Sequence, residues 1–151
     1  MLDSVTAPFN VGSIVRSAAV FGVERLWLCG NSTAPSHPSV RKTSLGTERL
    51  VPWEQLANPV DAATEARADG FQVVAVELAS GAVPLHEARL DADVCLVLGN
   101  EDHGCSPKLL DAVDAVAYIP QVGRVGSLNV AVAAAIGLAE VRRREWSEDA
   151  R

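Results

Sequence analysis

Three stretches of this chain carry polar side chains in patterns that a fold alone does not require. The first is Asn10, Ser13, Arg16 and Ser17, a polar line beside the apolar stripe Val11, Ile14, Val15 and Ala18. The second is Gly99-Asn100-Glu101-Asp102-His103-Gly104-Cys105-Ser106-Pro107, and the third runs from Pro120-Gln121 to Gly126-Ser127-Leu128-Asn129. Glycine in the second and third lets backbone approach a ligand closely. Glu101 can order Asn10 or Arg16 through charge-assisted hydrogen bonds. A plain turn needs no Glu101-Asp102-His103 in a row. The first stretch, taken alone, reads equally well as the solvated face of an ordinary amphipathic helix.

Other chemistries fail on spacing. Gly99 to Gly104 has the two glycines of a phosphate loop, but Cys105-Ser106 stands where Lys-Ser/Thr is required. No Gly-x-Gly-x-x-Gly follows a strand, so a dinucleotide fingerprint is lacking. His37, His86 and His103 have no Cys or His at zinc-binding spacing, and no metal site is expected. Cys105 lies two residues from His103, but catalytic Cys–His pairs are assembled from distant segments, so it reads as a buried thiol.

The elements that must position these stretches alternate between strand and helix. Apolar runs at Leu26–Cys29, Val73–Val76, Val94–Leu98 and Ala115–Ile119 do not alternate with polar residues, as expected of strands covered on both faces of a parallel sheet. Helices are expected at Asn10–Phe21, Pro59–Ala68, Pro107–Val113 and Ser127–Arg144. Pro8 and Asn10 mark the start of the first, and Gly22 its left-handed cap. Ser127 is placed to cap the last, which would put Asn129 inside an alanine-rich helix, where its amide needs a partner. This is an α/β pattern with a mostly parallel sheet and helices on both faces. Both ligand-type stretches follow strand carboxyl ends, where open sheets bind ligands.

With 151 residues, 48% hydrophobic and 21% charged, the chain is neither disordered nor collagen-like and has room for one domain, 1–151. Three cysteines, an odd number, suit a reduced cytoplasmic setting. The N-terminus lacks a signal-peptide pattern, and the apolar run Val125–Val141 is interrupted by Ser127 and Asn129, so no membrane span is expected.

Together the three stretches resemble the SpoU/TrmH branch of the SPOUT methyltransferases. Pro8-Phe9-Asn10-Val11-Gly12-Ser13-Ile14-Val15-Arg16-Ser17-Ala18 is similar to the first motif, Leu98-Gly99-Asn100-Glu101 through Gly104-Cys105-Ser106 to the second, and Ile119-Pro120 through Ser127-Leu128-Asn129-Val130-Ala131-Val132-Ala133 to the third. His37-Pro38 with Lys42-Thr43-Ser44-Leu45-Gly46 resembles an intermotif segment. The resemblance implies the α/β-knot fold with a C-terminal trefoil knot and a homodimer whose sites are shared between subunits. It implies S-adenosylmethionine as cofactor and methyl transfer to a ribose 2′-OH of tRNA or rRNA. Asn10, Arg16, Glu101, Ser127 and Asn129 match catalytic or substrate-positioning positions. Leu98, Gly99, Ile119 and Leu128 match the cofactor cradle. A different class of function, a non-catalytic RNA- or nucleotide-binding module on the same fold, is the alternative.

Arg16 has two roles open to it. A guanidinium keeps its proton to above about pH 12, so a base role near neutrality needs that lowered by about five units. Clamping an RNA phosphate and stabilising the developing alkoxide needs no such change. Glu101 has a structural role open to it as a helix-start carboxylate before Pro107. Arg142-Arg143-Arg144 can touch RNA or simply complement a helix C-terminus.

Departures from the family pattern are Asp102-His103 in the second motif and Gln121 where an apolar residue is usual. Ahead of the first motif only Met1 to Val5 are left for a first strand, which suggests a start site placed too late or a shortened edge. The net charge of −6 argues against a broadly basic RNA-coating surface. Residues 1–50 hold five basic and three acidic groups, residues 51–115 three and twelve, and residues 116–151 five and four. The negative charge is concentrated in the middle, so RNA contact is expected on a local surface with strong salt dependence.

Overall fold

The computed structural model describes residues 1–91 and 93–149. In chain order it contains β1 (Leu2–Asp3), α1 (Pro8–Val20), β2 (Leu26–Cys29), α2 (Arg41–Ser44), a 3-10 turn at Thr47–Arg49, and β3 (Trp53–Leu56). There follow α3 (Pro59–Ala68), β4 (Gln72–Val76), β5 (Val83–Pro84), β6 (Val94–Val97), α4 (Pro107–Leu110), β7 (Ala115–Tyr118) and α5 (Val130–Asp149). Two parallel sheets form, ordered β1-β2-β3 and β5-β7-β4-β6. A parallel bridge from Leu2 to Leu98 joins them, with Asp3 N–H donating to the Leu98 carbonyl at 2.8 Å. The strands therefore continue as β3-β2-β1-β6-β4-β7-β5, all in one direction.

Residues that alternate along the strands serve opposite faces. Leu26 and Leu28 join a core with Val11, Ile14, Val15 and Ala18 of α1 and Ala134 of α5. Trp27 and Cys29 join the other core, with Ala62, Ala63 and Ala66 of α3 and Leu109 of α4. Helices thus cover both faces, as the non-alternating runs require.

Several expectations are corrected. β1 is short but not an edge: it lies between β2 and β6, with both residues buried. β3 went unseen because it alternates on an exposed edge instead of forming an apolar run. α4 ends at Leu110 and not Val113, since Asp114 accepts from Val73 N–H at 2.7 Å and from Arg67 Nε at 2.8 Å and turns the chain into β7. α5 begins at Val130 rather than Ser127 and continues past Arg144.

α1 matches its apolar stripe, and Gly22 does sit at φ +64° just beyond it. Its first turn is different. Pro8 opens the helix, Ala7 offers no capping side chain, and Asn10 lies inside. At the other end Arg142 of α5 donates to the Phe21 carbonyl at 2.7 Å and the Gly22 carbonyl at 2.9 Å. Arg144 donates to the Ala88 and Leu85 carbonyls, and Arg143 pairs with Glu140. Arg142 and Arg144 are thus committed to holding backbone, which favours the structural reading of this basic run.

α1 also packs closely on α2 at Gly12. A Cβ there would stand 2.3 Å from the Val40 carbonyl and 2.0 Å from Thr43 Oγ1. Gly12→Ala should therefore destabilise the protein by about 2 kcal/mol through overpacking, read as a lower thermal midpoint. An unchanged midpoint would show that the two helices separate at no cost.

Candidate active site

The loops after β4, β6 and β7 and the start of α1 enclose a cleft of about 560 Å³. That falls in the size range of small-molecule sites. Leu98, Gly99, Ile119 and Leu128, the expected cofactor cradle, all line it, as do Asn10, Glu101, Ser127 and Asn129.

Glu101 organises the mouth. Its Oε1 accepts from Ala7 N–H at 3.0 Å and Asn10 Nδ2 at 3.1 Å, and its Oε2 accepts from Thr6 N–H at 3.1 Å. The carboxylate thereby holds the Thr6–Ala7 segment that leads into α1 together with the Asn10 side chain in its first turn. Glu101 thus fixes the entry to α1 and is not the start of the helix at Pro107. Partial burial would raise its pKa, yet the bonds from Asn10, Thr6 and Ala7 outweigh this and hold it below the usual carboxylate range.

The chain of bonds continues across the cleft. Asn10 Oδ1 accepts from Asn129 Nδ2 at 2.9 Å, and Asn129 Oδ1 accepts from Ala131 N–H at 2.9 Å and Val132 N–H at 3.3 Å. Asn129, and not Ser127, is the cap of α5, which resolves the misfit of an amide inside an alanine-rich helix. Residues from all three motifs are thus joined in one hydrogen-bonded line. Arg16 is not part of it. It lies exposed on α1, and among the described residues no hydrogen bond or ion pair engages it, so Glu101 orders Asn10 and not Arg16.

The second-motif loop is closed on itself. Asn100 and Gly104 exchange both backbone bonds, while Asn100 Oδ1 accepts from the N–H groups of Asp102 and His103 at 3.0 and 3.1 Å. Asp102-His103 is therefore accommodated through backbone alone. Gly104 has φ +69°, and a Cβ there would meet Glu77 Oε2 at 2.4 Å. That oxygen accepts from Cys105 N–H at 3.0 Å. Glu77, one residue past β4, is the lining residue that motif reading missed. Applying the strand-end rule to β4 as well would have found it. Burial, with the Glu77 and Asp3 carboxylates nearby, pushes the Cys105 thiol up to about 12, so it is no nucleophile at neutral pH.

The third-motif loop offers its backbone. Among the described residues, no main-chain hydrogen bond is made by residues 120–128. Free N–H and C=O groups here, flanked by Val76, Leu98 and Ile119, suit a ligand with a flat, hydrogen-bonding ring. The acidic side chains lining the cleft are Glu77, Glu101 and Asp102, with no Lys or Arg among the lining residues. This lining favours a cationic ligand and opposes a polyphosphate. Among the described residues no cluster of three metal-ligating side chains occurs, and no helix is long and apolar enough to cross a membrane.

The lowered pKa of Glu101 has a definite sign. Its contribution to stability is full above the ordinary carboxylate range and is lost as pH falls through the lowered value. Glu101→Gln should cost about 1 kcal/mol at pH 7, and the gap from the parent chain should shrink as the solution is acidified. Denaturant midpoints measured across pH check this; a gap that is constant with pH would rule out the charged acceptor.

Residues 1–139 match the family model described as the SpoU rRNA Methylase family. A 23S rRNA (guanosine-2′-O-)-methyltransferase from Acinetobacter baylyi is 33% identical over 95% of this chain and 58% of its own length. An AdoMet-bound rRNA methyltransferase from Sinorhizobium meliloti superposes with TM-score 0.86 at 37% identity, covering 95% of this chain and 54% of that one. A structure concerned with 2-OH methylation of C/U34 on tRNA superposes with TM-score 0.83 at 28% identity, covering 97% of this chain and 94% of that one. The chain spans about half the length of the curated relatives it matches. The chain belongs to the SpoU rRNA methylase family.

Proposed function

We propose that this chain is an S-adenosylmethionine-dependent methyltransferase acting on a ribose 2′-OH of tRNA or rRNA. The observation that carries this reading is the Glu101–Asn10–Asn129 line at the mouth of an adenosyl-sized cleft. The acidic lining suits a cofactor that bears a sulfonium and an ammonium. It weighs against the alternative of a nucleotide-binding module. Family membership extends the reading to a single domain over 1–151 and to the C-terminal segment threaded as a trefoil knot. It also extends to a homodimer. Val122 and Val125 are exposed on the third-motif loop, where a second subunit would cover them. The three free, buried cysteines suit the reducing cytoplasm.

The bound cofactor would supply a methyl group already activated for attack, leaving the protein mainly to align it. Leu98, Gly99, Ile119 and Leu128 would hold the adenosyl part by backbone and apolar contact. The ribose hydroxyl would give up its proton to water as it takes the methyl group. Alignment of this kind supplies up to about 7–11 kcal/mol in the best cases. Asn10 and Asn129 present fixed amides to the incoming ribose, Ser127 adds a hydroxyl, and Glu101 holds Asn10 in place. Arg16 stands free to clamp a phosphate and to stabilise the alkoxide as it forms.

Calorimetry with S-adenosylmethionine and methyl transfer to total RNA test the whole. Binding with no transfer to any RNA would instead establish the binding module. Arg16→Lys keeps the charge but loses the fork, so it should lower kcat/KM by about tenfold or more while cofactor affinity is unchanged. Full activity of that variant would exclude the bidentate clamp. Asn129→Ala, which cuts the line and uncaps α5, should lower both turnover and stability, the latter by about 1 kcal/mol.

A further inference from the structure

Phe9 is unused by the mechanism above, yet its surroundings are built. It follows Pro8 in the first turn of α1, and its carbonyl accepts from Thr43 Oγ1 at 3.0 Å. Its ring is 53% exposed. The Lys42 ammonium lies over the ring, 6.0 Å from the centroid. Phe9, Ser13, Arg16 and Val20 share one line of α1 at i, i+4, i+7 and i+11, and Phe9 directly precedes Asn10 at the cleft mouth. Among the described residues neither Arg16 nor Lys42 takes part in a salt bridge.

We propose that Phe9 is a stacking platform for a nucleobase of single-stranded RNA, with Lys42 and Arg16 receiving the flanking phosphates. This rests on the RNA methyltransferase reading and adds where the substrate's base is held. An exposed aromatic ring offers every base a face on which to stack. With Lys42 over one face of the ring, the base would take the other. The rise of an α-helix separates Phe9 from Arg16 by about 10 Å along the axis, within reach of adjoining nucleotides. One cation over the ring and a second two turns along α1, neither in a salt bridge among the described residues, select a polyanion over an apolar protein surface. They also supply the local positive surface that the chain's overall charge denies.

The test is binding of a short single-stranded oligoadenylate over a salt series, with cofactor affinity and native mass measured alongside. Phe9→Ala should weaken oligomer binding about 5- to 150-fold, the range of one lost base stack. Its salt slope should match that of the parent chain. Phe9→Trp should restore binding and Phe9→Leu should not. Lys42→Ala should instead reduce the salt slope by ~0.7. The platform is overturned if Phe9→Ala binds within twofold of the parent or if leucine rescues as well as tryptophan. It is equally overturned if the parent chain fails to bind, or if Phe9→Ala loses an assembly that the parent forms. A parent chain that binds through Phe9 yet methylates no RNA overturns the enzymatic reading and leaves the platform standing.

Discussion

The site depends on one carboxylate lent by a distant loop to the lead-in of a helix. Ala7 gives α1 no side-chain cap, and Glu101, from a loop more than 90 residues away, holds the Thr6 and Ala7 N–H groups and the Asn10 amide. Because a carboxylate only accepts, Asn10 must turn its amide nitrogen toward Glu101 and its oxygen toward Asn129. At the far end the N–H groups of Ala131 and Val132 only donate, so Asn129 must turn its own oxygen to them. Both amide orientations are therefore fixed from the two ends of the line. A ligand approaching Asn10 meets dipoles that are already set, the arrangement that electrostatic preorganisation requires.

Much of the frame was legible because local signals agreed with it. Leu26–Cys29, Val73–Val76 and Val94–Val97 announced buried strands, and Pro8 and Gly22 bounded α1. What stayed hidden depended on partners far along the chain. β1 has two residues, too few for any periodicity, and its central place comes only from bonds to Cys29 and Leu98. Ser127 looked like a cap by residue type, but Asn129 lies where its side chain can serve the first turn of α5. The motifs named Asn10, Glu101 and Asn129. Their wiring, and the part taken by Glu77, required the fold.

Charge is divided more finely than segment totals suggest. Part of the acidic middle is spent internally: Arg25 reaches Glu54, Glu65 and Asp69, and Asp114 holds Arg67. Glu77, Glu101 and Asp102 instead turn toward the cleft. Arg16, exposed on α1, and Lys42, over the Phe9 ring, take part in no salt bridge among the described residues. An acidic cleft and separate cations of this kind favour ligands of opposite charge. A net charge of −6 describes neither.

The two ends of α1 have a bearing on how the chain folds. The Thr6–Ala7 lead-in and the Asn10 amide are held by Glu101, and the carbonyls of Phe21 and Gly22 beyond the other end by Arg142. Neither partner exists when residues 8–20 leave a ribosome. Contacts of such sequence separation carry a large loop-closure cost and form slowly. The helix that bears the first motif is thus translated before the residues that hold its two ends. Until α5 docks, Asn129 has no first helical turn to cap and the line from Glu101 to Ala131 is incomplete.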